Sequence, residues 1–338
     1  MGNPIISVII PVYNEEKYID RCMNSLQMQT YRNLQIILIN GGSQDLSPQK
    51  CDEWAAHWNM GRNMGIVEVI HAVNNGVSAS RNLGLAHASG EYVTFIDGDD
   101  WLEPDAIEKM YRAICDENSD LAGMAFAAKS SEDDIADTGE NPEVLTLDAD
   151  TFIKNRLLEG DVHCWGRLYK KSILGRQRFM EGLTIGEDML FFLEYVLKCH
   201  SITCMEYVGY NYFTNPNGAM TRPYTPSAYD QVVCWQKAGK LLEKFADSDI
   251  DDKVKKNVLI SIMLTAGRIA VLPNSERKQY TNPKKGENGD TIRRLKGEIK
   301  NNKTRNAVKK LSAGYRIKLA LFRVSPKLYL ALYHSHKA

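Results

Sequence analysis

Four short apolar, β-branched runs separated by helix-like segments fill the first hundred residues, and this alternation limits the fold more than any other feature. The runs are "ISVIIPVY", "LQIILIN", "GIVEVIHA" and "YVTFID". Amphipathic stretches lie between them, from Glu15 to Met28, from about Ser47 to Asn59 and from Val77 to Ala88. Strands recurring at this spacing with a helix between each pair predict an α/β fold, with a mostly parallel sheet joined by right-handed crossovers. Open sheets of this kind bind ligands outside the carboxyl ends of their strands. The segments "NEE", "NGGSQD", "NNG" and "DGDD" follow the four strands, so polar and Gly-rich chemistry is expected at that one edge.

Regularity then loosens. "PDAIEKMYRAICDE" reads as a helix and "AGMAFAAK" as a possible strand, followed by an acidic insertion, "SSEDDIADTGENPEV". Helix signals resume at "DADTFIKNRLLEG", with Asp148 or Asp150 as the cap. "VHCWGRLYKKSIL" and the loop "GLTIGED" precede another apolar helix, "MLFFLEYVLKC". From about Pro226 the signals are helical, with "LPNSERKQYTNPKKGENGD" read as a mobile linker.

Charge separates two parts of the chain. Lys plus Arg and Asp plus Glu both number 42, so the balance gives no sign of a nucleic-acid partner. Between Thr291 and Ala338, however, 13 Lys or Arg face a single acid, Glu298. That basic tail mixes Arg316, Lys318, Arg323 and Lys327 with apolar residues and is divided at Pro326, which suits either an anionic membrane surface or a helical hairpin packed on protein, including a homodimer partner. Seven scattered cysteines without a CxxC pair fit reduced thiols. "MGNPIISVIIPVYN" has no basic leader, and no run is long enough to span a bilayer. The expected location is cytoplasmic, peripheral at the inner face of the cytoplasmic membrane.

Four constellations carry chemistry. Asp97 and Asp99 flank Gly98 at a strand end, where two hard carboxylates can face one point and hold Mg²⁺ or Mn²⁺ together with substrate phosphates; a solvated acidic turn is the plain alternative. After the first strand, the Tyr13 ring can stack on a base, Glu15 can bond a ribose or base edge, and Asn14 can cap the next helix. Near Gly76 and Val77 a helix start and Arg81 are offered to a phosphate, although Arg81 can equally pair with an aspartate. In the second half, Glu187 and Asp188 open the apolar helix, as dipole partners or as a base for an acceptor hydroxyl.

In order, "SVIIPVYNEEKYIDRCMNSLQMQTYRN", "GVSASRN", "GEYVTFIDGDDWLEPDA", "WGRLYKKSIL" and "GEDMLF" resemble family 2 glycosyltransferases, inverting enzymes of the GT-A nucleotide-diphospho-sugar transferase fold. The resemblance runs over roughly residues 4 to 220, and "GYNYFTNPNGAMTR" resembles the bacterial capsule, exopolysaccharide and lipopolysaccharide branch. It implies a catalytic domain over 1–225, with a nucleotide-binding half (1–105) and an acceptor-binding half (106–225), and a helical region over 226–338. It also implies transfer from a nucleotide-diphosphate sugar to a saccharide or lipid-linked saccharide. Pro11, Tyr13 and Glu15 fall on the family's nucleotide pocket, and Asp99 on the direct metal ligand. Asp97 falls nearer the ribose and donor sugar, and Asp188 on the catalytic base. One departure stands out: "LINGGSQD" places Asn40 and Gly41 where the family usually has two aspartates, the second of which accepts a uracil N3–H. Asn40 is expected to turn its amide toward the base instead. Two rivals are a nucleotidyltransferase, against which "PVYNEEKY" lacks a Gly-rich basic loop, and a non-catalytic nucleotide-binding descendant.

Overall fold

The computed structural model describes residues 3–60, 65–131, 143–215, 218, 223–281 and 290–337. The acidic insertion lies largely outside the described residues. The chain forms two compact units: the first comprises 1–157, 161–182 and 191–218, the second 158–160, 183–190 and 219–338.

In the first unit, β1 (Ile6–Val12), α1 (Ile19–Gln27), β2 (Leu34–Asn40), α2 (Ser47–Met60), β3 (Ile66–His71), α3 (Val77–His87) and β4 (Tyr92–Phe95) follow the expected alternation. The strands β3, β2, β1 and β4 lie side by side and all parallel. Every residue of β2 and nearly all of β1 is buried, as expected for strands covered on both faces. Each such Ile, Val or Leu contributes roughly 1.5–3 kcal/mol by burial. Gly84 brings α3 against β1, because a Cβ there would collide with the Ile9 side chain.

Beyond β4 come β5 (Trp101–Leu102), α4 (Ala106–Asp116), β6 (Leu121–Lys129), β7 (Val144–Asp148), α5 (Ala149–Asn155), β8 (Arg167–Lys170), α6 (Lys171–Leu174), α7 (Glu187–Val196) and β9 (Ser201–Phe213). The sheet continues from β4 through β8, β6 and β9 to β5, with β7 also on β9. Strand β8 runs antiparallel to both β4 and β6, so those two end at the same sheet edge. Strand β9 is parallel to β6, whereas β5 and β7 are antiparallel to it. Asp148, not Asp150, caps α5: its carboxylate accepts the Thr151 N–H at 2.8 Å.

The second unit is helical: α8 (Asp230–Leu242), α9 (Ser248–Ala270), α10 (Asn274–Thr281), α11 (Asp290–Asn302), α12 (Arg305–Lys310), α13 (Ala313–Val324) and α14 (Pro326–Lys337). Helix α9 is its spine, capped by Asp247 through the Asp249 and Ile250 N–H groups, with α8, α11, α12, α13 and α14 packed on it. The segment 158–160 joins this unit because Lys256 and Asn257 donate to the Leu158 carbonyl and Lys253 and Lys256 pair with Glu159. The expected linker is corrected in part. Asn274–Thr281 is helical, starting just after Pro273, whose carbonyl accepts the Glu276 and Arg277 N–H groups, while 282–289 lie outside the described residues.

Candidate functional site

Strand β4 delivers Asp97, Gly98, Asp99 and Asp100 as a tight turn closed by the Asp100 N–H on the Asp97 carbonyl at 3.0 Å. The Pro11 carbonyl and the Glu15 side chain press on it, 3.2 and 3.4 Å from where a Gly98 Cβ would stand. The end of β1 and the acidic turn therefore meet.

Each carboxylate has a distinct set of partners. Asp97 Oδ1 accepts Arg81 Nη2 at 2.8 Å, and its N–H donates to the Tyr210 hydroxyl at 3.2 Å. Asp99 Oδ2 accepts Asn215 Nδ2 at 3.0 Å, and its carbonyl accepts Arg21 Nη2 at 2.6 Å. Asp100 is fully buried and accepts the Tyr210 hydroxyl at 2.6 Å and the Phe213 N–H at 2.7 Å. Burial, and then the charge of Asp97, pushes the Asp99 carboxyl up to about 6, although Asn215 and Arg21 pull it back. Burial and the Asp97 and Asp99 charges raise Asp100 well above the usual carboxylate range. Burial is the first cause of both shifts, and the neighbouring carboxylates add to it. Among the described residues no group of three or more His, Cys, Asp or Glu could hold a metal by itself. Two half-buried carboxylates one residue apart nevertheless fit Mg²⁺ or Mn²⁺, which keep several waters and take further oxygens from phosphates.

Arg21 stands over aromatic rings, its guanidinium carbon 4.0 Å from the Trp101 ring centre and 4.6 Å from that of Phe213. Nothing in the α1 sequence singles it out. Tyr210 and Asn215 belong to the quoted acceptor-side run, but it is the pairing of β5 with β9, Trp101 opposite Asn211, that sets them against the turn.

The β1–α1 and β2–α2 loops are knitted together. Ser43 Oγ accepts the Asn14 N–H at 3.0 Å, Asn14 Oδ1 accepts the Gln44 N–H at 2.8 Å, and Ser47 Oγ accepts the Glu15 N–H at 2.8 Å. Asn14, at φ 58°, does not cap α1, whose first residue is Ile19 and whose cap is Tyr18. The Tyr13 ring stays open, 41% exposed. Gly41 is buried, its N–H on the Val12 carbonyl at 2.9 Å, with Ser80 Oγ 3.3 Å from where a Cβ would stand. The Asn40 amide is already engaged: Oδ1 accepts the Ser43 N–H at 3.1 Å and Nδ2 lies 3.0 Å from His71 Nδ1. The amide swing expected of Asn40 would have to break both contacts. Of the two roles open to Arg81, the structure displays the pairing with Asp97, the guanidinium being nearly buried over Phe179.

Asp188 belongs to the second unit. It sits in the first turn of α7, half-buried, with Oδ1 accepting the Met189 N–H at 2.8 Å. Its loop is tied to α8. Asp230 Oδ2 accepts Thr184 N–H and Oγ1 at 3.0 and 2.8 Å, Cys234 Sγ donates to the Ile185 carbonyl, and Gly186 at φ 91° passes close to Cys234.

The model of the family described as glycosyl transferase family 2 matches residues 7–176. The putative glycosyltransferase EpsH of Bacillus subtilis (strain 168) is 39% identical over 186 residues, 53% of this chain and 50% of EpsH, so the chain spans about half the length of that relative. Among solved structures, S. aureus TarS 1-349 in complex with UDP-GlcNAc superposes with a TM-score of 0.62 at 18% identity, covering 98% of this chain and 91% of that one. The mannosyltransferase PcManGT from Pyrobaculum calidifontis, in complex with GDP-Man and Mn²⁺, gives a TM-score of 0.51 at 14% identity, covering 100% and 89%. At such identities these two structures show a shared fold. The family match covers half of the chain, from β1 through α6, and takes in the acidic turn; this chain belongs to glycosyl transferase family 2.

Proposed function

We propose that the chain is an inverting glycosyltransferase that moves a sugar from a nucleotide-diphosphate sugar to a hydroxyl of a cell-envelope or capsular polysaccharide precursor. The observation that carries this reading is the acidic turn at the carboxyl edge of a parallel half-sheet, where Asp97 and Asp99 lie half-buried with Arg81 and Asn215 as their side-chain partners. Such a turn calls for a cation and for the anionic ligand that a cation brings. A bound Mg²⁺ or Mn²⁺ would offset charge on the leaving diphosphate. Asp99 would hold it, with Asp97 alongside and turned by Arg81. Tyr13 offers its open face to the base, and Pro11, Glu15 and Gly41 wall the same pocket. Asp188 takes the proton from the acceptor hydroxyl so that the oxygen can attack the anomeric carbon with inversion. The sugar nucleotides in the TarS and PcManGT complexes support a nucleotide-sugar donor, and their different bases leave the base of this donor to experiment.

Residues 1–225 are taken as the catalytic domain, divided near 105. For α13 and α14 the proposed partner is an anionic membrane surface at the cytoplasmic face. Ile317 and Val324 stand 69% and 85% exposed on α13, Leu328 and Leu332 are exposed on α14, and no acid follows Glu298. Among the described residues no helix is long and apolar enough to cross a membrane.

A panel of UDP-, TDP- and GDP-sugars, assayed for donor hydrolysis and thermal shift with and without Mn²⁺, tests the central reading. One donor hydrolysed in a Mn²⁺-dependent way is expected; no hydrolysis and no shift with any of them would overturn it.

A further inference from the structure

The second half of β6 sets Phe126 among Ala125, Ala127 and Ala128 and leaves that residue 44% exposed. A single exposed aromatic is ordinary. This one is held in place. Trp165 lies parallel between His163, at 4.2 Å, and Tyr210, at 4.3 Å, with Tyr212 also parallel at 5.6 Å. Phe126 stands perpendicular to that stack, 5.0 Å from Trp165 at 89° and 5.4 Å from His163 at 83°. Perpendicular rings at such separations touch face to edge. Phe126 is thus wedged at near right angles against two mutually stacked rings while much of the residue stays open.

The stack is rooted in the acidic turn. Tyr210 donates to Asp100 and accepts the Asp97 N–H. Strands β6 and β4 end at one sheet edge, with Phe126 opposite Tyr210 in the β6–β9 register. A flat aromatic face is thereby fixed to the element that carries the candidate metal ligands.

We propose that Phe126 is the stacking platform for a pyranose ring of the acceptor saccharide, a role that rests on the glycosyl-transfer reading above. One face of a pyranose presents polarised C–H groups, which suit the electron-rich face of an aromatic ring, while its hydroxyls stay at the rim for water or polar side chains. A ring already wedged by its neighbours gives up little rotamer freedom on binding. An aliphatic residue at position 126 would fill the surface but could not stack.

Saturation-transfer NMR with the methyl glycosides of glucose, galactose, N-acetylglucosamine and rhamnose tests this on the full chain. At least one glycoside should receive saturation at its ring C–H protons. Its affinity should fall about two- to tenfold in Phe126→Ala and be kept in Phe126→Trp. Acceptor-free hydrolysis of the nucleotide sugar should be unchanged in Phe126→Ala. If the wild type hydrolyses no nucleotide sugar, the glycosyl-transfer reading fails, and the proposal with it. If hydrolysis is present but no glycoside binds, or if Phe126→Ala binds equally well, the platform alone is refuted. Conversion of a dimer to a monomer by Phe126→Ala would also refute it, because a second copy would then cover the ring.

Discussion

The acidic turn and the C-terminal hairpin concentrate opposite charges and are built in opposite ways. In the turn, Asp97, Asp99 and Asp100 are wholly or partly buried, and their partners Arg81, Arg21, Tyr210, Phe213 and Asn215 come from α3, α1 and the end of β9. In the hairpin, Arg316, Arg323 and Lys327 are exposed, and Arg316 bonds a carbonyl five residues back, that of Leu311. A buried charge is expensive unless it is paired and hydrogen-bonded, whereas an exposed one loses little hydration and needs no fixed partner. The turn therefore depends on long-range structure for its chemistry. The hairpin owes its charge to composition alone.

If that contrast is right, replacements near the site should alter rate or ligand affinity, and replacements in the hairpin should alter location. The largest effect is expected at Asp188, whose Oδ1 takes an N–H of its own helix. Asp188→Asn should lower turnover by ~10²–10⁴ while calorimetric binding of donor and Mn²⁺ stays near wild type. Near-normal turnover would remove Asp188 as the base.

Neutralising Arg316, Arg323 and Lys327 together to Gln should weaken partition onto anionic vesicles by about 10²-fold, at ~1 kcal/mol for each charge. Turnover on a soluble acceptor should not change. Sedimentation with vesicles that is indifferent to the three changes would mean that the exposed face of the hairpin, whose other face packs on α9, meets no anionic surface.

Arg21→Ala should weaken Mn²⁺ binding by about 10–100-fold, as expected when an outer partner of a metal ligand is lost. Arg21→Lys should fall between, since an ammonium can reach the Asp99 carbonyl but lacks the planar guanidinium that stands over Trp101 and Phe213. Unchanged Mn²⁺ affinity in both variants would show that the turn holds its shape without the clamp.

The smallest effect is expected at Gly41. Gly41→Asp should tighten UDP by about tenfold, by restoring a charge-assisted bond to the base. The Ser80 hydroxyl, 3.3 Å from the new Cβ, must move aside by a few tenths of an ångström. Equal affinities for UDP, TDP and GDP before and after would place this loop away from the base.

Local pattern was enough for β1 to β4 and the helices between them, because burial on both faces demands unbroken apolar runs and amphipathic helices must alternate with them. It was enough for the acidic turn, the basic tail and the break at Pro326, all of which are contiguous. Local pattern could not assign Asn14, whose side chain serves the Gln44 N–H across two loops rather than capping α1. It could not choose between Asp148 and Asp150, and it missed that Asn274–Thr281 is helical. Arg21 and Asn215 were invisible in it for a stronger reason. Their roles exist because α1 and the end of β9 are brought to one turn, and the Asn215–Asp99 bond joins residues 116 positions apart. Residue identity placed three carboxylates at a strand end. Packing buried them unequally, raised Asp99 and Asp100, and gave each its own partner, because burial and charge separation are properties of the folded chain and not of any stretch of it.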